Sequence, residues 1–195
     1  MSAGFLSVLS QAQRFVSERA RAGDAVVDAT AGGGVDTLFL ARTVGPGGRV
    51  FAFDVQEEAL MRTKRRLDEA VAAGEPLGGA ELLLDGHERM AERVPAGLHG
   101  RVAAIMFNLG YLPGAEKAII TQTGTTLSAL EASLRLLRSG GVLTVVVYPG
   151  HDGGDAEASA VEAWAAAVPQ STGQCVMYRF PQKHASPYLI AIVKK

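Results

Sequence analysis

The sequence predicts a doubly wound α/β sheet, mostly parallel, with seven strands and an antiparallel finish. Short apolar runs alternate with longer amphipathic segments, and Gly- or Pro-rich turns separate them at each change of period. The last two β-rich stretches follow one another with no helix between. Right-handed crossovers are expected in the parallel part, and ligands on such sheets sit at the carboxyl ends of the strands near the switch in strand order.

An amphipathic segment over 3–22 predicts the first helix, and Gly23-Asp24 breaks it before a short apolar strand over 25–29. A glycine cluster precedes a helix over 36–42. Gly45-Pro-Gly-Gly48 then turns the chain into a second strand, 49–54. The next helix, 57–73, stops at Gly74-Glu-Pro-Leu-Gly-Gly79, and strand three follows over 80–84. A short helix over 87–93 leads through Pro95-Ala-Gly-Leu-His-Gly100 into strand four, 102–107. A long helix over 121–138 is expected to stop at Ser139-Gly-Gly141, with glycine supplying the C-terminal cap before strand five, 142–148. After a helix over 153–168, the stretches 173–180 and 187–193 read as a hairpin-like antiparallel pair on the sheet edge.

With 195 residues, 48% of them hydrophobic, the chain suits one compact domain over 1–195. No apolar run approaches the ~18–20 residues that a bilayer span requires, so no membrane helix is expected. The apolar start of the chain lacks a basic leader and runs straight into Gln11-Ala-Gln-Arg14, which reads as mature protein rather than a signal peptide. A lone cysteine, Cys175, excludes an internal disulfide, and no cluster has metal-ligand spacing; a cytoplasmic setting is the simplest expectation. Nineteen basic against 20 acidic side chains argue against coating nucleic acid by bulk charge, while leaving room for a local basic patch. The small size and exposed helices are compatible with a homodimer.

The strongest chemical feature is Val27-Asp28-Ala-Thr-Ala-Gly32-Gly33-Gly34-Val-Asp36-Thr37, a glycine turn between strand one and a helix. Glycines let the backbone approach a ligand closely, and the helix start offers unpaired N–H groups. The third glycine of the dinucleotide fingerprint is absent. Asp54 ends strand two, 22 residues beyond Gly32, where a carboxylate can accept from both ribose hydroxyls. NAD and S-adenosylmethionine both satisfy Asp54. The further carboxylates Asp28 and Asp85 favour the second, because they suit a cationic sulfonium and ammonium and oppose a pyrophosphate.

Strand four closes on Phe107-Asn108-Leu-Gly110-Tyr111-Leu-Pro113-Gly114. An Asn at a strand end before such a turn is similar to the Asn-Pro-Pro-Tyr-like signature of methyltransferases acting on nitrogen, whose Asn carbonyl accepts from the amine and aims its lone pair. Together, Asp28-Ala-Thr-Ala-Gly-Gly-Gly-Val-Asp-Thr37, Phe53-Asp-Val-Gln56, Asn108-Leu-Gly-Tyr-Leu-Pro-Gly114 with Lys117, and Tyr148-Pro-Gly-His-Asp-Gly-Gly154 with Glu157 resemble the small YtqB-like methyltransferases. That family was long labelled rRNA methylases and is now identified with MnmM-type tRNA (5-aminomethyl-2-thiouridine) methyltransferases. The resemblance covers residues 12–194. It departs at Gly33 and Val35, where the family carries Asn and His.

The resemblance implies a class I methyltransferase fold that moves a methyl group from S-adenosylmethionine to the aminomethyl nitrogen of the wobble uridine in a tRNA anticodon stem-loop. Asp28, Thr30, Gly32, Gly34, Asp36 and Thr37 would then line the methionine side of the cofactor. Asp54 and Gln56 would hold the ribose, and Asp85, Gly86 and His87 would approach adenine. Asn108 would serve both cofactor and acceptor, with Tyr111 and Pro113 shaping the acceptor side. An alkylamine must lose a proton before it attacks, and His151 is the candidate to watch, with Tyr148 beside it and Asp152 or Glu157 as orienters. His87 and His99, read by themselves, fit surface or capping positions. Arg62, Lys64, Arg65 and Arg66, flanked by acids, read as an exposed salt-bridged helix face, and Lys117 and Lys183-His184 could touch RNA. The alternatives are the same transfer to an rRNA base or a small-molecule amine, an NAD-dependent oxidoreductase, and a cofactor-binding protein without turnover.

Overall fold

The computed structural model describes residues 4–110, 122–150, 154–182 and 186–195. Seven strands form one sheet: β1 (Ala25–Asp28), β2 (Arg49–Asp54), β3 (Gly79–Leu84), β4 (Val102–Asn108), β5 (Leu137–Val147), β6 (Gly173–Tyr178) and β7 (Tyr188–Lys194). Among the described residues six α-helices accompany them: α1 (Val8–Ser17), α2 (Val35–Val44), α3 (Glu57–Ala72), the single turn α4 (Met90–Arg93), α5 (Thr123–Leu136) and α6 (Gly154–Ala167). The strand order is β3-β2-β1-β4-β5-β7-β6, parallel through β5, with β7 antiparallel to both neighbours. The expected hairpin therefore opens its second strand inward: β7 inserts between β5 and β6 and leaves β6 on the edge.

The central strands are buried on both faces, as parallel strands covered by helices must be. Successive residues point to opposite layers, so Val26, Val50 and Met106 pack with α1 and α2, while Val27, Phe51 and Phe107 pack with α5 and α6. In α1 the apolar spacing Val8, Ala12, Val16 turns one stripe to the sheet, and the Ser7 hydroxyl caps the helix by accepting from the Ser10 amide at 3.1 Å. Bidentate pairing of Arg138 with Asp24, at 2.8 and 3.0 Å, ties the amino ends of β1 and β5 together.

The first helix is shorter than expected, Val8–Ser17 rather than 3–22, and the boundary between α5 and β5 differs from the sequence expectation for a clear reason. Helix α5 ends at Leu136, and the extended backbone of Leu137 enters β5 directly, with no glycine cap. Ser139-Gly-Gly141 instead lies within β5, where the pairing jumps from Val102↔Leu137 to Ala104↔Val142. Gly140 there has φ +76°, and a Cβ on Gly141 would stand 3.1 Å from the Ala103 carbonyl. These glycines serve a bulge pressed against β4.

Candidate functional site

Strand order reverses between β1 and β4, and the loops at their carboxyl ends open there into a cavity of about 450 Å³. That size lies within the ~300–1,000 Å³ typical of cofactor sites. A second cavity of about 400 Å³ lies at the opposite end of the sheet, around Arg49, Arg101 and the Arg138–Asp24 pair. It contains none of the motif residues.

The turn after β1 is held from below. Asp28, 1% exposed, accepts from the Thr37 hydroxyl at 2.6 Å and from the Thr30 amide at 3.1 Å. Burial, then repulsion from Asp36, pushes its pKa up to about 7. Asp28 and Thr37 thus lie beneath the turn, off the cavity wall. Gly34 also faces away: its φ of +77° starts α2, and a Cβ would stand 2.7 Å from the Thr63 Cα. Gly32, Gly33, Thr30 and Asp36 do line the cavity. Asp36, in the first turn of α2, accepts from the Gln13 amide at 2.9 Å, and burial raises its pKa.

Asp54 closes β2 as the sequence suggests and lines the cavity with Gln56. Its two oxygens accept from the Gly32 and Gln56 amides, each at 2.9 Å, so one carboxylate fixes both loops and retains lone pairs for a ligand. Asp85, beyond β3, pairs with Arg89 at 3.1 Å and Arg93 at 3.6 Å, and its own amide donates to the Asp54 carbonyl at 3.1 Å. Gly86 and His87 complete that wall. His87 is 8% exposed, which corrects the surface or capping placement: its ring packs edge-on against Phe107 at 5.5 Å. Burial lowers its pKa and keeps the imidazole neutral, the ring bonds the Ala29 backbone, and Nε2 is buried with no partner among the described residues. His99 does cap, its Nε2 lying 3.0 Å from the Val94 carbonyl.

Across the cavity, Asn108 ends β4 and is clasped to the first loop, its amide donating to the Thr30 hydroxyl at 2.7 Å. A side-chain hydrogen bond joins Asn108 to Tyr148, whose phenol is held above its ordinary range by burial. Asn108 Oδ1 is buried and unpartnered among the described residues. Tyr111, Pro113, Lys117, His151, Asp152, Lys183 and His184 lie outside the described residues. Glu157 is buried and accepts from the Thr126 hydroxyl at 2.7 Å. Among the described residues no cluster could hold a metal ion, and no helix is long and apolar enough to cross a membrane.

The cationic run on α3 divides. Arg62 pairs with Glu58 and Lys64 with Asp68, as an exposed salt-bridged face should, but Arg66 donates to the Gly33 carbonyl at 2.7 Å. Gln13, Thr63, Arg66, Gln122 and Thr125 are site residues that sequence reasoning missed. Only the position of Thr63 and Arg66 on the helix following Asp54 hinted at contact with the glycine turn.

A glycine turn after β1, a carboxylate ending β2 and a reversed β7 within the 3-2-1-4-5-7-6 order define a class I methyltransferase fold. Residues 50–194 match the family model described as "Putative rRNA methylase", and the chain belongs to that family. A relative from Arabidopsis thaliana named "tRNA (mnm(5)s(2)U34)-methyltransferase, chloroplastic" is 42% identical over 178 residues, 89% of this chain. The chain spans 64% of that relative's length. A structure described as a putative rRNA-methylase from Clostridium thermocellum is 36% identical with a TM-score of 0.90, over 98% of this chain and all of that one. A Streptococcus mutans protein, described as a putative methyltransferase in complex with SAH, is 32% identical with a TM-score of 0.84, over 98% of this chain and all of that one.

Proposed function

We propose that the protein is an S-adenosylmethionine-dependent N-methyltransferase acting on the 5-aminomethyl group of a tRNA wobble uridine, to give 5-methylaminomethyl-(2-thio)uridine. The observation that carries the chemistry is Asn108: a buried side-chain carbonyl with no partner among the described residues, at the switch point, on the wall of a cofactor-sized cavity. The acceptor follows from the 42% identical relative named for that nucleoside.

The cavity fits the cofactor on its own terms. Asp36, Asp54 and Asp85 supply acceptors for an ammonium and for ribose hydroxyls, and His87 Nε2, without a partner among the described residues, suits a nucleobase edge. S-adenosylmethionine supplies an electrophilic methyl on a cationic sulfur. Gly32, Asp36, Asp54, Gln56, Asp85, Gly86 and His87 hold it, while Asp28, Thr37 and Gly34 act from beneath by shaping the turn. Thr30 joins that turn to Asn108.

With its amide nitrogen donating to Tyr148, Asn108 turns Oδ1 toward the acceptor and receives an amine N–H, which aims the nitrogen lone pair. Desolvation in the cavity favours the neutral amine over the ammonium. Tyr111 and His151 are assigned to the acceptor side from their place in the Asn108 and Tyr148 stretches, with His151 taking the proton. An anticodon stem-loop presents the uridine, in a cytoplasmic setting, to a protein whose small size and exposed helices are compatible with a homodimer. The test is methyl transfer to tRNA that lacks the final methyl, with nucleosides read by mass spectrometry. Product on rRNA or a free amine alone would replace the acceptor and keep the chemistry.

A further inference from the structure

We propose that Thr63 and Arg66 of α3 are positioning residues that set the glycine turn for the cofactor; the inference rests on the cofactor assignment above. The Thr63 hydroxyl donates to the Gly32 carbonyl at 3.2 Å, and Arg66 Nε donates to the Gly33 carbonyl at 2.7 Å. Between them Gly34 lies so close to α3 that a Cβ would meet the Thr63 backbone at 2.7 Å and its hydroxyl at 3.0 Å. Three consecutive residues of the turn are thus registered against one helix face.

The consequence for the cavity follows from peptide planarity. Drawing the Gly32 carbonyl toward Thr63 aims the Gly33 N–H the opposite way, because C=O and N–H of a trans peptide are antiparallel. Gly33 lines the cavity, so its N–H becomes a donor for the carboxylate of an amino-acid ligand. Asp54, just before α3, accepts from the Gly32 amide at 2.9 Å, so Gly32 is held at both ends. One helix therefore sets the ribose carboxylate and the amino-acid turn in fixed relation. Arg66 is exposed and its neighbour Arg65 forms no such contact among the described residues, so packing alone does not explain the bond.

The experiment titrates SAH into Thr63→Val, Arg66→Ala, Thr63→Ser, Arg66→Lys and Arg65→Ala by calorimetry, with amide exchange measured on the ligand-free proteins. Loss of one positioning hydrogen bond is expected to weaken SAH about tenfold in Thr63→Val and Arg66→Ala. Thr63→Ser and Arg66→Lys keep a donor and should return most of that affinity, with Arg65→Ala binding like wild type. The Gly32 and Gly34 amides should exchange faster in the two deleted variants, without ligand. Wild-type affinity and unchanged exchange in both would overturn the proposal while leaving the cofactor assignment standing. A wild type that binds no SAH would overturn the cofactor assignment itself.

Discussion

Removing the buried charge of Asp28 should make the fold less sensitive to rising pH. The carboxyl is sealed beneath the glycine turn, its pKa moved from 3.8 to about 7 by burial and by repulsion from Asp36. A group whose folded pKa is raised holds its proton in the folded state while the unfolded chain releases it. Its stabilising contribution is complete below about pH 3.8 and is lost as pH rises to about 7. At ~1.36 kcal/mol per pKa unit the whole loss is about 4 kcal/mol, of which about 3 kcal/mol falls between pH 5 and 8. Asp28→Asn keeps an acceptor for the Thr30 amide, and the Thr37 hydroxyl can rotate to accept from the new amide nitrogen. Urea unfolding of both proteins at pH 5, 6, 7 and 8 checks this. His87, whose pKa is lowered, contributes the opposite slope to both proteins and cancels in the difference. The variant should gain on the wild type steadily up to about pH 7 and then hold level. Parallel stability curves would refute the buried-charge argument.

Three further perturbations follow from the same geometry. Gly34→Ala places a Cβ at φ +77° against the Thr63 backbone; left-handed strain alone costs ~1–2 kcal/mol, so calorimetric melting should drop by about 2–8 °C, and an unchanged midpoint would contradict the packing. Asp54→Ala strips the Gly32 and Gln56 amides of their acceptor, and SAH titration should show affinity reduced about tenfold or more; equal affinity would remove Asp54 from the site. Thr30→Val deletes the acceptor for the Asn108 amide, and single-turnover transfer should slow about tenfold, whereas wild-type rates would show that the clasp does not position Asn108.

Most of the strand and helix order was legible because glycine and proline turns fall where the period changes, as at Gly23-Asp24 and Gly45-Pro-Gly-Gly48. Ser139-Gly-Gly141 misled for a physical reason: a glycine pair after a helical pattern ordinarily marks a C-cap, and only the pairing with β4 shows that it serves a bulge. In the site, residues at strand ends were legible, since Asp54 and Asn108 terminate apolar runs. Contacts that depend on how helices pack were not. Gln13 reaches Asp36 across 23 residues and Arg66 reaches Gly33 across 33, and no local pattern encodes either. His87 looked like a surface histidine because the ring it packs against, Phe107, lies 20 residues on in β4, with β2 and β1 between that strand and β3 in the sheet.

The most direct measurement incubates the protein with S-adenosylmethionine and tRNA bearing 5-aminomethyl-(2-thio)uridine, then digests the tRNA and weighs its nucleosides. The account predicts 5-methylaminomethyl-(2-thio)uridine with wild type and its loss in Asn108→Ala, which removes the buried side-chain carbonyl. A wild-type protein that binds SAH yet leaves every tRNA nucleoside unmethylated, or an Asn108→Ala variant that methylates at the wild-type rate, would contradict it.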